Sequence, residues 1–329
     1  MNKMFCILIT LSIFYSSFAQ HKTVGQIISL DPHFDVLVDK NTKIEVLADS
    51  FMWAEGPAWV KDGKYLLFSD VKRNTIFKWK EGEGLSEFLK PSGYTGRMTY
   101  SNEPGSNGLI INKQGELVAC EHGDRRISVM PLAAGGKRTL ADNYHGKFFN
   151  SPNDIVQKSN GDYYFTDPAY GMPQDSVGHT RMMGIYRLSQ NGTVTLLFGN
   201  MTPNGLAFSP DEKILYIAQS LSEKAIIMSF PVKADGTLGA GKIFFNATEM
   251  IKRGLKGLPD GMKTDVNGNL FATGPGGVLI ISPSGKLLGR IDTGQLTANC
   301  NWGDDGSVLY ITANRLLCRI RTKTKGIGF

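Results

Sequence analysis

Cysteine is scarce: the 329-residue chain has four. None forms a C-x-x-C pair, which excludes a disulfide-built scaffold and a cysteine-based zinc or redox site. Helical periodicity is almost missing, so bundles and doubly wound α/β sheets are excluded. Beyond the first residues no apolar run approaches the about 20 needed to cross a bilayer, and no membrane span is expected. The chain has no G-x-S-x-G elbow, no H-E-x-x-H and no phosphate-cradling glycine loop, which removes serine-hydrolase, zincin and P-loop chemistry. Charge is scattered too. The formal net charge of +6 includes one basic run, from Arg319 through Arg321 and Lys323 to Lys325. It has no interleaved aromatics and reads as a solvated strand or tail, not a nucleic-acid stripe.

What is present is material for a large core: 41% hydrophobic residues with 38 Gly and 14 Pro. That composition argues against disorder. The first residues form a leader: Lys3 supplies a cationic start, Met4 to Tyr15 is apolar, and Ser17-Phe18-Ala19 has the small-x-small shape of a signal-peptidase site. Cleavage after Ala19 is expected, giving an exported protein, periplasmic or secreted. Cys6 leaves with the leader, and Cys120, Cys300 and Cys318 remain as small buried apolar residues.

The remainder repeats itself. A polar residue, a short apolar stretch, a turn and a strand rich in Leu, Tyr, Phe and Ile recur from Glu55, Asn107, Asn153, Asn204, Asp260 and Ala298, at intervals of 52, 46, 51, 56 and 38 residues. Each unit reads as four strands; in the fourth unit these are Leu206 to Ser209, Ile214 to Gln219, Ala225 to Val232 and Lys242 to Phe245. Asp265-Val-Asn-Gly268 reads as a hairpin turn, not a calcium loop, because its Gly is misplaced and no Glu closes it. Repeats of this size predict an all-β, six-bladed β-propeller over residues 42–329. The last unit runs out after three strands, so residues 42–48 are expected to supply its fourth and close the ring. Residues 20–41 are then an extension packed outside the propeller or across one end.

In such a ring the unit heads converge on one axis. Five of the six, Glu55, Asn107, Asn153, Asn204 and Asp260, are hard oxygen donors, and two are anionic. Mixed carboxylate and amide oxygens suit calcium better than zinc. Asn-Gly and Asp-Gly are also turn formers, but turn chemistry does not ask for Glu55 at the matching position.

In their contexts, Glu55-Gly-Pro57, Asn204-Gly-Leu206 and Pro259-Asp-Gly261 resemble the metal-site signatures of the regucalcin and gluconolactonase family of six-bladed propellers. The strings Gly146 to Asp154, Tyr164 to Gly171 and Cys120 to Ile127 resemble its bacterial gluconolactonase branch, and the likeness runs from about residue 34 to 321. The resemblance implies that Glu55, Asn204 and Asp260 bind one divalent cation, most often calcium, with Asn153 touching the metal or the substrate. Magnesium, manganese and zinc are alternative occupants. The animal members carry an Arg two residues before that third-blade Asn, where this chain has Ser151. His122, Arg125, Arg126 and Arg181 are candidates to replace it.

The implied chemistry is hydrolysis of sugar lactones such as glucono-1,5-lactone, with the ion polarising the carbonyl and Asp260 orienting or deprotonating water. Asn107, Asn153 and His122 are candidate substrate contacts. Asp167 is either a pocket residue or the cap of a strand-end turn. A loop from Tyr170 to Met183 is a candidate lid. A non-catalytic carbohydrate- or protein-binding propeller with a structural ion, and an esterase or phosphotriesterase, remain open alternatives. Nothing in the sequence sets the oligomeric state.

Overall fold

The computed structural model describes residues 21–173 and 182–329. The leader, with Cys6, lies outside those residues, as do Arg181 and most of the candidate lid. The described chain is a ring of six antiparallel sheets, with a two-stranded hairpin, Asn143–Tyr144 and Lys147–Phe148, between blades two and three. Blade one holds Ala54–Val60, Tyr65–Asp70, Thr75–Lys80 and Gly84–Leu89 in order from the axis outward. The innermost strands of the next five blades are Ser106–Ile111, Ile155–Gln157, Pro203–Phe208, Met262–Thr264 and Asn299–Gly303. Blade four contains Pro203–Phe208, Ile214–Gln219, Ile226–Pro231 and Lys242–Asn246, within a few residues of the strands read from the sequence.

Why these segments are strands is visible in their burial. The second strand of a blade is covered on both faces by its neighbours, so it is a continuous apolar run, as in Ile214–Gln219. Outer strands such as Gly84–Leu89 are mostly exposed and mix polar with apolar residues. The core lies between blades. Phe165, Tyr186 and Phe149 form one ring cluster, with centroids 5.1 to 5.6 Å apart, and are fully buried.

The ring closes as expected: Ile44–Ala48 pairs antiparallel with Leu316–Arg321 as the outer strand of blade six. The preceding extension packs on the outside as further strands. Thr23–Val24 pairs with Ile44–Ala48, and Gln26–Ser29 pairs with Leu287–Asp292 as a fifth strand of blade five. A short helix, Pro32–Asp35, sinks Phe34 fully into the core shared by blades five and six. Asp265 does close a hairpin, accepting from the N–H groups of Asn267 and Asn269 at 3.0 and 2.8 Å.

The basic run begins as a strand, to Arg321, and its Arg321, Lys323 and Lys325 are exposed, while the residues between them turn inward. Thr322 and Thr324 are buried, and Thr324 donates to Asp265 at 2.8 Å. Gly326 lies against the face of Trp302, where a Cβ would stand 2.0 Å from Cγ. The cations pair outward: Arg319 with Glu45 at 2.6 Å, Lys323 with Asp39 at 3.8 Å and Lys325 with Asp305 at 3.6 Å. Composition showed the charge but not that every second residue turns inward.

Candidate active site

Each inner strand starts at one end of the axial channel, and the heads stand at those starts. Their convergence is set by contacts around the axis. Gly108 N–H donates to the Asn153 carbonyl at 2.7 Å, joining blades two and three, and Gly261 N–H donates to Ala298 at 2.8 Å, joining five and six. Between blades one and two, Gly56 faces Asn107 so closely that a Cβ would stand 2.1 Å from its carbonyl oxygen; Gly205 faces Asp260 at 2.3 Å in the same sense. Asn299 Nδ2, from blade six, donates to Glu55 Oε2 at 3.3 Å and joins blade six to blade one. Only Gly56 among these head glycines has a positive φ, +49°. The X-Gly pattern is therefore mainly a packing requirement at a crowded axis, not a turn signal.

Two heads lack the glycine. There the following residue, Asp154 or Asn299, is fixed by accepting from the next N–H at 2.9 Å. The structure sets both side chains beside each other. Asp154 is a site residue that reading one donor per repeat missed; it is buried, and its Oδ2 has no hydrogen-bond partner among the described residues. Its signal was the acid directly after Asn153. Glu103 is a second omission, in a loop without a counterpart in other repeats. Tyr170 is a third, its hydroxyl pushed up by burial and by Asp260.

Electrostatics show what this cluster lacks. Burial pushes the Glu55 carboxyl up to about 8, with repulsion from Asp154 and Glu103 adding to it and the Gly56 N–H easing it. Burial and repulsion by Glu55 and Asp154 hold the Asp260 carboxyl well above its ordinary range. Burial raises Asp154 and Glu103 as well, against the partial relief of Lys263 and Lys72. Clustered buried acids with rising proton affinity form a site that a dication would neutralise. Among the described residues no three His, Cys, Asp or Glu side chains close into a ligand group. Glu55 and Asp260 stand close enough to repel each other, and Asn153 and Asn204 head the neighbouring inner strands; two carboxylates with two amide oxygens would make a hard-oxygen donor set. It fits a hard-oxygen ion such as calcium. Asn204 Nδ2 donates to Ser220 Oγ at 3.1 Å, which leaves its amide oxygen free to accept or ligate.

Asn107 and Asn153, 4% and 3% exposed, face the same axis. His122 is buried and neutral at pH 7: desolvation lowers it to about 4. Its Nδ1 lies 3.3 Å from the Glu103 carbonyl, and its Nε2 has no hydrogen-bond partner among the described residues. Gly171 lies on the imidazole, where a Cβ would approach Nδ1 to 2.4 Å. Neutral His122 can accept or donate one hydrogen bond, but it supplies no cation. Arg126 is taken by Glu121 at 2.7 Å, and Arg125 stands near Tyr100 and Asp167.

Asp167 and Ser151 are fixed by the loop before blade three. Asp167 is fully buried and accepts from Asn150 and Ser151 N–H, both at 2.8 Å. Ser151 Oγ donates to Pro168 at 2.7 Å and accepts from Gly171 at 3.1 Å, so the position where animal members carry Arg is internal here. The strand-end cap describes Asp167, and both of its oxygens are used. Asp167→Ala would strand two buried N–H groups, and a loss of about 2–4 kcal/mol is expected in urea unfolding. Asp167→Asn, which keeps one acceptor, should lose less; equal stability of both variants with the parent would remove this role.

Comparison with known proteins follows the same lines. The family profile described as SMP-30/Gluconolactonase/LRE-like region matches residues 53–315. The chain is 40% identical to a gluconolactonase of Zymomonas mobilis over 92% of this chain and 88% of that one. A solved gluconolactonase from Xanthomonas campestris superposes with a TM-score of 0.81 at 28% identity, covering 93% and 99% of the two chains. A calcium-binding regucalcin of Agrobacterium tumefaciens shares the fold, with a TM-score of 0.67 at 18% identity over 85% and 94%.

Proposed function

The chain belongs to the SMP-30/gluconolactonase/LRE-like family, and from that premise we propose that it is a metal-dependent lactonase opening sugar lactones such as glucono-1,5-lactone to the aldonic acid. The observation that carries this reading is the ring of donors around one axis, with Glu55 and Asp260 buried together and both driven toward protonation. The gluconolactonase relatives supply the substrate class, and the calcium-binding neighbour supports the choice of ion.

Glu55, Asn204 and Asp260 would hold the cation, with Asn153 at its edge. A bound divalent ion supplies Lewis-acid polarisation of the lactone carbonyl. The chain's own groups do the rest. Asp260 orients the attacking water and takes its proton as the carbon–oxygen bond forms; the proton then goes to the ring oxygen as the ester bond breaks. Asn107 and Asn153 bind sugar hydroxyls. Neutral His122, with one ring nitrogen uncommitted, accepts or donates at the pocket wall without adding charge. Tyr170 lies beside Asp260 and limits water around the carboxylate. We propose too that the protein acts after export, as its leader suggests.

Proton release from a panel of sugar lactones, measured against spontaneous hydrolysis, tests the reading. Activity should vanish with chelator and return with calcium. No rate above the blank on any lactone, in folded protein that retains calcium, would instead favour a binding propeller, and turnover confined to simple esters or phosphotriesters would move the substrate class.

A further inference from the structure

An amide side chain has two faces, and only one of them holds a cation. Its acceptor oxygen and its donating NH2 occupy nearly equivalent places, so half a turn about the last bond exchanges one for the other. Calcium takes the oxygen, and an NH2 turned toward it is repelled. A head asparagine that serves an ion therefore needs something to fix its face.

For Asn204 the hydrogen bonds do so. Ser220, in the loop after Ile214–Gln219, carries one proton and two lone pairs on Oγ. The proton is spent on the carbonyl of Pro259, which can only accept. Toward Asn204, Oγ is left as an acceptor, so the atom facing it at 3.1 Å has to be the donating Nδ2. Tyr170, also near Ser220, brings a hydroxyl that can share the second lone pair without displacing Asn204. With Nδ2 held, Oδ1 is turned away from Ser220 and receives no hydrogen bond from the described residues.

The lock is itself anchored at both ends. Ser220 N–H donates to the Thr202 carbonyl at 3.1 Å, and Asp260, next after Pro259, donates its N–H to Thr273 at 3.2 Å. Asn107 and Asn153 differ: among the described residues they are held through their backbone carbonyls, by Ser69 Oγ at 2.9 Å and Gly108 N–H at 2.7 Å. Either face of those two amides can turn to a sugar hydroxyl.

We propose that Ser220 is a positioning residue that fixes the Asn204 amide with its oxygen available to the cation, so that blade four contributes a ligand and not a repelling NH2. The inference rests on the metal-binding reading above and concerns the ion, not the substrate.

Calcium calorimetry on the chelator-treated protein is the test, with metal-free thermal melts as the check on folding. Ser220→Ala should weaken calcium binding about tenfold to a hundredfold, the scale of losing a group that orients a ligand. Ser220→Cys fills the same space with a poor acceptor and should weaken binding as well, which separates the lock from a packing defect. Ser220→Thr keeps the hydroxyl and should keep most of the affinity. The deciding arm is Asn204→Asp. A carboxylate has an oxygen on both sides, so in that background Ser220→Ala should change calcium affinity by less than about threefold. An equal loss in both backgrounds would mean that Ser220 acts only by holding Pro259, and it overturns the proposal, as does unchanged affinity in Ser220→Ala and Ser220→Cys. A parent that binds no calcium overturns it together with the ion. A parent that binds calcium but turns over no lactone overturns the lactonase reading alone.

Discussion

Asp260→Ala is expected to lower kcat/KM on the best lactone by about 10³-fold or more, the scale of losing a positioned base together with a ligand carboxylate. Asp260→Asn should nearly match it in activity while differing in metal binding, because the amide retains an oxygen donor but neither the charge nor the basicity. The second readout runs opposite to the first. In chelator, Asp260→Asn should melt at a higher temperature than the parent, since it removes a buried carboxyl that Glu55 and Asp154 repel. Kinetics on both variants, with thermal melts in chelator and in calcium, check this. Activity within tenfold of the parent would remove Asp260 from the reaction. A lower melting point for Asp260→Asn in chelator would remove the repulsion account.

The second large effect is a reversal of pH dependence by the ion. Burial raises Glu55 from 4.5 to about 8, so the folded protein holds a proton there that the unfolded chain has released. Stability from this group is fully present below 4.5 and is lost as pH rises toward 8. Asp167, raised from 3.8 to about 8 mainly by burial, adds a slope of the same sign. Metal-free protein should therefore melt several degrees lower at pH 8 than at pH 5. Calcium requires the deprotonated acids, so the stabilisation it adds should grow over that range, with protons released on binding. Asp167→Asn should flatten part of the metal-free slope without altering the calcium effect, because Asp167 is held by Asn150 and Ser151 away from the donor set. Melts at several pH values with and without calcium decide the matter. A metal-free stability that does not change with pH, or a calcium shift independent of it, would count against the paired-acid site.

The fold was legible because strand alternation and repeated turn chemistry are local, and six copies of one pattern leave little freedom in architecture. The closing strand was readable by counting, since a unit three strands long needs a fourth from elsewhere. Glu55, Asn204 and Asp260 stood out by their repeat positions, and Glu55 and Asp260 are indeed buried close enough to repel each other. Asp154 and Glu103 were not, because their place beside Glu55 and Asp260 depends on how blades turn toward one another. Asp167 could not be separated into pocket or cap from sequence, since its role is fixed by two N–H groups about 16 residues earlier in the chain. The cations of the basic run are solvated as read, but charge counts ignore the alternate Thr and Ile residues that face inward.

The pairing of Ile44–Ala48 with Leu316–Arg321 also sets a timetable. The first propeller strand to be synthesised has its partner among the last, so the ring cannot shut until nearly the whole chain is available. Contacts of such long sequence separation slow folding. They leave blade one and blade six with open edges meanwhile, and a chain shortened by the last strand would lose the closure of the ring rather than one blade's worth of stability.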